Sequence, residues 1–294
     1  MKGYRAHRFR SADGRLELFA RDYPEALGDG PVGPRSGAGA REGIPLLLMH
    51  GLTRNSADFE PLVPHLAGRY RLVVPDQRGR GLSQYDPQAG NYDVDVYVRD
   101  MFALMDGLGI GRFGIVGTSM GGLIGMTMAA EAPGRVAALV LNDVGPEIEE
   151  RGLERIRGYV GPCEPARDWA EAAGRIATVN AVAFPGFAQA DWLAFARRTC
   201  RETDAGIVAA YDPAITAGIP DNLWQLWDKV SALPVLVIRG AISDLLSQAA
   251  VAAMRRRHAG HFGAIDVRDR GHAPLLDEPK ALAALLPFLH EHAR

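Results

Sequence analysis

Residues 112–125 read RFGIVGTSMGGLIG, and this stretch decides the fold. Its first five residues are a short apolar run that predicts a buried strand, and its last residues begin an apolar helical pattern. In the turn between them, Ser119 has a glycine two residues away on either side, and Gly122 gives room for close packing of the helix. A strand-to-helix turn this tight holds the serine in a strained, exposed backbone position. The stretch therefore predicts a nucleophilic serine.

Around this turn, short apolar runs alternate with segments of helical period. The alternation is typical of a largely parallel sheet with helices on both faces. It predicts eight strands, at residues 6–10, 15–20, 45–49, 71–75, 112–116, 136–142, 234–238 and 262–267, the first two joined as a hairpin across Asp13-Gly14. It predicts helices at residues 56–67, 94–108, 120–132, 247–257 and 274–290.

Two segments interrupt the alternation. Residues 24–44 are rich in glycine and have little apolar mass, so we expect a mobile surface loop there. Between residues 146 and 230 the apolar strands give way to amphipathic helical segments that carry all four tryptophans. We therefore expect a core domain of residues 1–145 and 231–294, with residues 146–230 inserted as a helical cap.

A serine hydroxyl is a weak nucleophile until a base takes its proton, so the chain must also supply a histidine and an acid that orients it. His272 follows the last predicted strand, and Asp244 follows the strand before it. Parallel strands end at one edge of a sheet, so both residues are expected beside Ser119. We predict a triad of Ser119, His272 and Asp244; Asp143, at the end of strand 136–142, is the alternative acid.

Acyl transfer produces an oxyanion that needs backbone N–H donors. The residue after the nucleophile, Met120, supplies one donor, and the loop after strand 45–49 supplies the other at Leu52. In that loop His50 either takes part directly or only shapes the backbone. His50, Gly51, Trp224 and Trp227 are predicted to line the substrate pocket, although the cap aromatics could instead pack among themselves.

Five motifs together resemble the α/β-hydrolase superfamily. They are His50-Gly51, the loop Asp76-x-Arg78-Gly79-x-Gly81-x-Ser83, the turn Gly117–Gly122, Ser243-Asp244 and Gly271-His272. The resemblance spans nearly the whole chain. Within the superfamily, the sequence is similar to the capped branch, which includes enol-lactone hydrolases, carboxylesterases, C–C bond hydrolases and cofactor-free haloperoxidases. It implies an α/β-hydrolase fold: a mostly parallel eight-stranded sheet flanked by helices, with an inserted helical cap.

The resemblance implies a serine hydrolase that cleaves a carboxylic ester or lactone of a small, largely apolar molecule through an acyl-enzyme. A C–C bond hydrolase or a cofactor-free perhydrolase or haloperoxidase on the same triad is the alternative. A ligand-binding receptor on a hydrolase scaffold is a third. Arg78 either contacts a substrate carboxylate or ties its own loop.

No further ligand is expected. The spacing Gly28-x-Gly30-x-x-Gly33 resembles a dinucleotide site, but it contains Pro31 and follows no strand–helix turn, so we expect a loop and no cofactor. His258 and His261 have no carboxylate at metal-ligand spacing, so we expect no metal.

Charge and cysteine content narrow the class of partner. The formal net charge of −2 creates no strong field for nucleic acid or an anionic membrane surface. No stretch approaches the roughly 18 apolar residues of a membrane span. Cys163 and Cys200 show no disulfide spacing, which fits a reducing compartment, so we expect a cytoplasmic protein. The expected partner is a small-molecule substrate. The sequence does not give the number of subunits.

Overall fold

The computed structural model describes residues 3–24, 43–215, 220 and 223–294. The loop expected at residues 24–44, with its glycine spacing at 28–33, lies almost wholly outside the described residues. None of the helices in the described ranges is long and apolar enough to cross a membrane. The cytoplasmic location remains a prediction.

One eight-stranded sheet forms the centre of the molecule. In chain order the described strands are β1 (Arg5–Arg10), β2 (Glu17–Tyr23), β3 (Leu46–Met49), β4 (Leu72–Asp76), β5 (Phe113–Thr118), β6 (Val136–Asn142), β7 (Cys200–Thr203), β8 (Gly206–Ala209), β9 (Val235–Gly240) and β10 (Phe262–Val267). The sheet order is β1-β2-β4-β3-β5-β6-β9-β10, and β7 and β8 form a separate hairpin. The pairs from β4 to β10 are parallel, while β2 pairs antiparallel with β1 and β4.

The sheet confirms the predicted fold, because β3, β4, β5, β6 and β9 are apolar runs that are buried at every position. The opening hairpin turns at Gly14, whose φ of 72° suits a residue without a Cβ. Its N–H donates to the Ser11 carbonyl at 2.8 Å. All the parallel strands end at one edge, and Ser119 follows β5 there.

Helices cover both faces of the sheet. They are α1 (Val63–Leu66), α2 (Val94–Gly107), α3 (Met120–Glu131), α4 (Glu150–Arg157), α5 (Trp169–Asn180), α6 (Gln189–Thr199), α7 (Leu223–Lys229), α8 (Gln248–Arg257) and α9 (Pro279–His292). Apolar residues of α2, α3, α7 and α8 join one buried cluster, and those of α1 and α9 join another on the opposite face.

Two predicted helices differ from those observed. The helix expected at 56–67 is a 3-10 turn at Ser56–Phe59 followed by the short α1. Pro61 and Pro64 lack the N–H that a continuous helix needs. The helix expected from residue 274 begins at Pro279, because the Glu278 carboxylate accepts the N–H groups of Leu275 and Leu276 and holds a turn before it.

The segment between β6 and β9, called the insert below, is less uniformly helical than its composition predicts. It contains α4 to α7 and, in addition, the β7–β8 hairpin. Phe184, Trp192 and Phe195 pack at centroid distances of about 6 Å in a small core of its own. The last helix, α7, packs against α3 instead, so this end of the insert belongs with the main core.

Candidate active site

Ser119 lies in the sharp turn between β5 and α3, at φ 52° and ψ −118°. A methyl group at position 117 would lie 2.4 Å from the Gly121 carbonyl oxygen, and one at position 121 would lie 2.1 Å from the Met49 carbonyl oxygen. Gly117 is therefore required for the turn to close on itself, and Gly121 is required for it to pack against β3. The strain predicted for the serine backbone is present, and its position lies in a region that non-glycine residues rarely adopt.

Ser119 and His272 are in hydrogen-bond contact. His272, in the loop after β10, has Nε2 at 2.8 Å from Ser119 Oγ. Its Nδ1 lies 2.8 Å from Asp143 Oδ2, in the loop after β6. An ionised carboxylate can only accept, so Nδ1 carries the proton and Nε2 is left as the acceptor of the serine hydroxyl. This is the arrangement in which a histidine can take a proton from serine.

Asp143 is held in place on both carboxylate oxygens. Oδ1 accepts the Gly240 N–H at 2.7 Å, and Oδ2 accepts the Ser243 hydroxyl at 2.6 Å in addition to His272. The side chain has no exposed surface. Backbone φ at Asp143 is 57°, which turns the side chain back across the ends of β6 and β9. The carboxylate therefore has one fixed orientation toward His272.

Asp244 does not hold this position, which corrects the predicted triad. Its carboxylate faces α4, where Arg155 Nε lies 2.5 Å from Oδ2 and Arg155 Nη2 lies 2.9 Å from Oδ1. Burial alone would raise the pKa of Asp244, but the hydrogen bonds and charge of Arg155 hold it below its ordinary value. The alternative acid, Asp143, contacts His272, while Arg155 of α4 engages Asp244 in a two-pronged pair.

The two residues expected to supply the oxyanion donors are close to Ser119: Leu52 borders the same cavity, and Met120 follows Ser119 in the chain. Met120 is the first residue of α3, so its N–H has no partner within the helix. The peptide that carries the Leu52 N–H has its carbonyl at Gly51, and that oxygen is held by His50 Nδ1 at 2.8 Å and by the Arg54 N–H at 3.1 Å. A methyl group on Gly51 would come 3.6 Å from Ser119 Cβ, so this peptide passes close to the nucleophile.

His50 shapes this loop from inside the protein and lines neither of the cavities described below, which corrects its predicted place in the pocket. Its Nε2 accepts the Gln77 N–H at 3.1 Å, so the proton is on Nδ1 and is donated to the Gly51 carbonyl. Burial lowers the pKa of His50 to about 3, so the ring is neutral near pH 7. Gly51 does line the cavity at Ser119, as expected.

Arg80 is a residue that sequence reasoning missed. Its side chain is fully buried, and its Nε donates to the Leu52 carbonyl at 2.9 Å while Nη2 lies 3.6 Å from Met120 Sδ. Nη1 donates to the Tyr97 hydroxyl and the Arg78 carbonyl. Within the described residues, no carboxylate lies at ion-pair distance from Arg80. A buried cation therefore supports both residues expected to bind the oxyanion, and no local motif signals this.

Arg78 has the role of a loop tie and not of a substrate contact. It is fully buried, with its guanidinium paired to Asp100 at 2.8 and 2.9 Å and to Asp86 at 2.6 Å. The N–H donors with which Arg78 could form a bidentate pair with a substrate carboxylate are bonded to carboxylates of the protein itself.

Two cavities lie near the site, and of these two the inner one is bordered by the serine. The inner cavity, about 30 Å³, is bordered by Ser119, His272 and Gly51. The outer cavity, about 160 Å³, lies within the insert between α5, α6 and the β7–β8 hairpin. Four residues line both cavities and are called the neck: Thr53, Arg54, Tyr159 and Asn180.

Trp224 and Trp227 line neither cavity, which corrects their predicted place in the pocket. Both lie on α7, whose buried face packs against the main core. Trp227 is completely buried, and its indole N–H donates to the Met254 carbonyl at 3.2 Å. The Trp224 ring lies under the guanidinium of Arg257 at 4.5 Å. Their aromatic mass serves packing between α7 and α8.

One group of possible metal ligands occurs in the described residues, at His261, Glu291 and His292. It lies beside the end of α9 and the start of β10, at the sheet edge opposite Ser119. The three ligand atoms are within 4.8 Å of one another. This group cannot act on a substrate at Ser119.

Known proteins share this fold and length. A family model described as the alpha/beta hydrolase fold matches residues 44–261. A 3-hydroxybutyrate-oligomer hydrolase from Cupriavidus necator is 36% identical over 267 residues, covering 83% of this chain and 87% of that protein. A 2-(acetamidomethylene)succinate hydrolase from Mesorhizobium japonicum is 32% identical over 220 residues, covering 72% of this chain and 75% of that protein.

A solved structure is similar over nearly the full length. The crystal structure of an alpha/beta hydrolase from Novosphingobium aromaticivorans has a TM-score of 0.88 and 37% sequence identity, covering 98% of this chain and 99% of that one. The family match and these relatives agree with the fold described above. The chain is therefore a hydrolase that belongs to the α/β-hydrolase fold family.

Proposed function

We propose that the protein hydrolyses a carboxylic ester of a small molecule through an acyl-enzyme on Ser119. The observation that carries the proposal is the chain of 2.8 Å contacts from Ser119 Oγ to His272 Nε2 and from His272 Nδ1 to Asp143 Oδ2. A base in contact with the serine, itself oriented by an acid, is what nucleophilic catalysis by serine requires. In this proposal Asp143, and not Asp244, is the orienting acid.

In the first half of the reaction His272 Nε2 takes the Ser119 proton while Oγ attacks the ester carbonyl carbon. The carbonyl oxygen becomes an oxyanion that accepts the N–H groups of Leu52 and Met120. When the tetrahedral intermediate collapses, the bond to the alcohol oxygen breaks and His272 gives its proton to that oxygen. Asp143 stays ionised and stabilises the protonated imidazole.

In the second half a water molecule takes the place of the alcohol. His272 takes one proton from the water as its oxygen attacks the acyl carbon, and the same two N–H groups hold the second oxyanion. Collapse breaks the bond to Ser119 Oγ, which recovers its proton from His272, and the carboxylic acid leaves. The cycle consumes one ester and one water and uses only groups of this chain.

The cavities support a small substrate. The inner cavity is too small for more than the reacting group, so the remainder must extend through the neck into the outer cavity of about 160 Å³. A cavity of about 150 Å³ holds benzene, so the outer cavity suits a group of roughly six non-hydrogen atoms. Its walls include Ile176, Val179 and Ile207. This favours a short, largely apolar group, and the insert is proposed to act as the cap.

The relatives point to the type of bond. An oligomer of 3-hydroxybutyrate, named for the Cupriavidus necator relative, is a chain of hydroxy-acid units joined by ester bonds. One such unit has about as many non-hydrogen atoms as the outer cavity can hold. We therefore propose a short hydroxyalkanoate ester as the substrate. C–C bond cleavage, perhydrolysis and ligand sensing remain predictions from the sequence.

The test is hydrolysis of p-nitrophenyl esters from C2 to C12 by the wild-type protein and by Ser119→Ala. We expect turnover that disappears with the substitution and a chain-length preference that falls beyond about six non-hydrogen atoms in the acyl group, because the outer cavity is then full. Full activity in a folded Ser119→Ala protein would contradict the proposed chemistry. A preference for C10 and C12 would contradict the proposed substrate size.

A further inference from the structure

The neck contains the only lysine or arginine among the described residues that line the inner cavity. That residue is Arg54, two positions after the expected donor Leu52. It lines the outer cavity as well. A group carried by an ester bound at Ser119 must pass this guanidinium to reach the outer cavity.

The Arg54 guanidinium is fixed in place but little used. Its plane lies over the Phe195 ring at 4.1 Å, and Nη1 donates to Asp58 Oδ1 at 2.7 Å. Within the described residues, its other four N–H donors have no hydrogen-bond partner. The side chain is 14% exposed. Stacking on Phe195 and one bond to Asp58 thus orient a planar group that still has a free edge for a ligand.

Two other arginines near the site have more of their donors in use than Arg54 has. Arg155 is engaged on two nitrogens by Asp244. Arg175, at the far side of the outer cavity, donates to Glu171 and to the Glu164 carbonyl. If Arg54 only tied its loop to Asp58, a two-pronged contact of the Arg155 type would use more of its donors. The single contact leaves free the pair of parallel N–H donors with which a guanidinium binds a carboxylate.

We propose that Arg54 binds a free carboxylate of the substrate, so that the enzyme acts on the anionic ester of a hydroxy or dicarboxylic acid in preference to its uncharged counterpart. The inference rests on the proposed ester hydrolysis and adds the charge of the substrate. The carboxylate accepts two parallel N–H bonds from Arg54 at the neck while the ester carbonyl lies at Ser119. The neighbouring hydroxyl and amide groups of Thr53 and Asn180 make the neck polar where the acid would lie.

Asp58 limits the strength of this interaction. The negative charge of Asp58 partly offsets the positive charge of Arg54. A bound anion is therefore held by directed hydrogen bonds and by a weakened electrostatic attraction. Added salt screens a charge-assisted pair in a partly enclosed site less than it screens an exposed pair, so it weakens such a pair only in part. We therefore expect a moderate preference for the anion, of about 10- to 100-fold in kcat/KM, that decreases between 0.05 and 0.5 M NaCl.

The experiment compares the dimer of 3-hydroxybutyrate with the same dimer carrying a primary carboxamide in place of its free carboxylate. Release of the monomer is followed by chromatography with the wild-type protein, Arg54→Gln and Arg167→Gln. Arg167 is the matched control, because it makes the same kind of i,i+4 pair with Glu171, is 87% exposed and lines neither cavity. The quantity measured is the ratio of kcat/KM for acid to that for carboxamide.

We expect a ratio of at least about 10 in the wild type and in Arg167→Gln, and a ratio near 1 in Arg54→Gln, with the change mainly in KM. A wild-type ratio near 1, or an unchanged ratio in Arg54→Gln, overturns the inference. If Arg54→Gln does not fold, Arg54→Lys takes its place, and butyrate is compared with butyramide as a competitive inhibitor of the wild type. Equal inhibition by the two compounds overturns the inference. If neither dimer is hydrolysed in a manner dependent on Ser119, the proposed function itself fails.

Discussion

Replacing Asp143 by asparagine should nearly abolish activity without disturbing the shape of the site. Oδ1 must still accept the Gly240 N–H, so the new amide nitrogen takes the place of Oδ2. That NH₂ group donates to His272 Nδ1, which can then carry no proton, and the ring proton moves to Nε2, opposite the Ser119 hydroxyl. Ser119 loses its base. Such a change of tautomer costs about 10⁴-fold in kcat, or about 5 kcal/mol at 1.36 kcal/mol per tenfold.

The matched control is Asp244→Asn. It breaks the pair with Arg155 and removes a charge near His272 but leaves both 2.8 Å contacts of that ring intact. We expect the loss of this charge to change kcat/KM by at most about tenfold. Both variants are assayed by stopped-flow release of p-nitrophenol from a C4 ester. The reasoning is refuted if Asp244→Asn loses as much activity as Asp143→Asn, or if Asp143→Asn stays within tenfold of the wild type.

Three further changes follow from buried contacts. Arg80→Met should lower kcat about 10- to 100-fold with little change in KM, because the Leu52 carbonyl loses its anchor and its peptide aims less well at the oxyanion; unchanged kcat in steady-state assays would show that the loop needs no such support. Gly121→Ala should destabilise the fold by about 3 kcal/mol or prevent folding, because the methyl group would lie 2.1 Å from a main-chain carbonyl oxygen of β3. The control is Gly134→Ala, whose methyl group meets nothing within 4 Å. Urea unfolding should show a nearly unchanged midpoint for Gly134→Ala and a lower one for Gly121→Ala. His50 binds a proton in the unfolded chain below pH 6.5 but in the folded protein only near pH 3, so it stabilises the fold above pH 6.5 and this contribution is lost as pH falls through that window. Unfolding free energies of the wild type should therefore fall by up to about 1.4 kcal/mol per pH unit more than those of His50→Gln, and parallel pH profiles would contradict this.

Local pattern was sufficient for the sheet and for Ser119. Buried parallel strands are continuous apolar runs, and the order of these runs along the chain fixes which loops meet at the carboxyl edge. The turn at Ser119 is specified by steric exclusion at positions 117 and 121, which single residues record directly. His272 could be placed for the same reason, since it is the histidine that follows the last strand.

The acid could not be chosen from the sequence. Asp143 and Asp244 follow two neighbouring strands, β6 and β9, and end at the same edge within reach of one imidazole. The choice depends on a contact between segments far apart in the chain, because Arg155 on α4 engages Asp244 and the Gly240 N–H fixes Asp143. Periodicity carries no information about such contacts.

The pocket was predicted poorly for a related reason. Trp224 and Trp227 have the helical spacing and aromatic character of a ligand-binding wall, yet α7 turns its apolar face to α3. The β7–β8 hairpin is short and has a single buried residue, Ile207, so it lacks the apolar signal that marks the central strands. Arg54 and Arg80 are distinguished from the other arginines only by what surrounds their guanidinium groups. The sequence does not record these surroundings.

The most direct test of the central claim is labelling with a fluorophosphonate, which reacts with a serine activated as a nucleophile. Hydrolysis of a C4 ester is followed while the label is counted by intact-mass spectrometry and located by peptide mapping. We predict one equivalent of label on Ser119, a loss of activity in proportion to labelling, and no labelling of the Asp143→Asn protein on the same time scale. Ester hydrolysis that persists in fully labelled protein, or a label located elsewhere, would contradict the account.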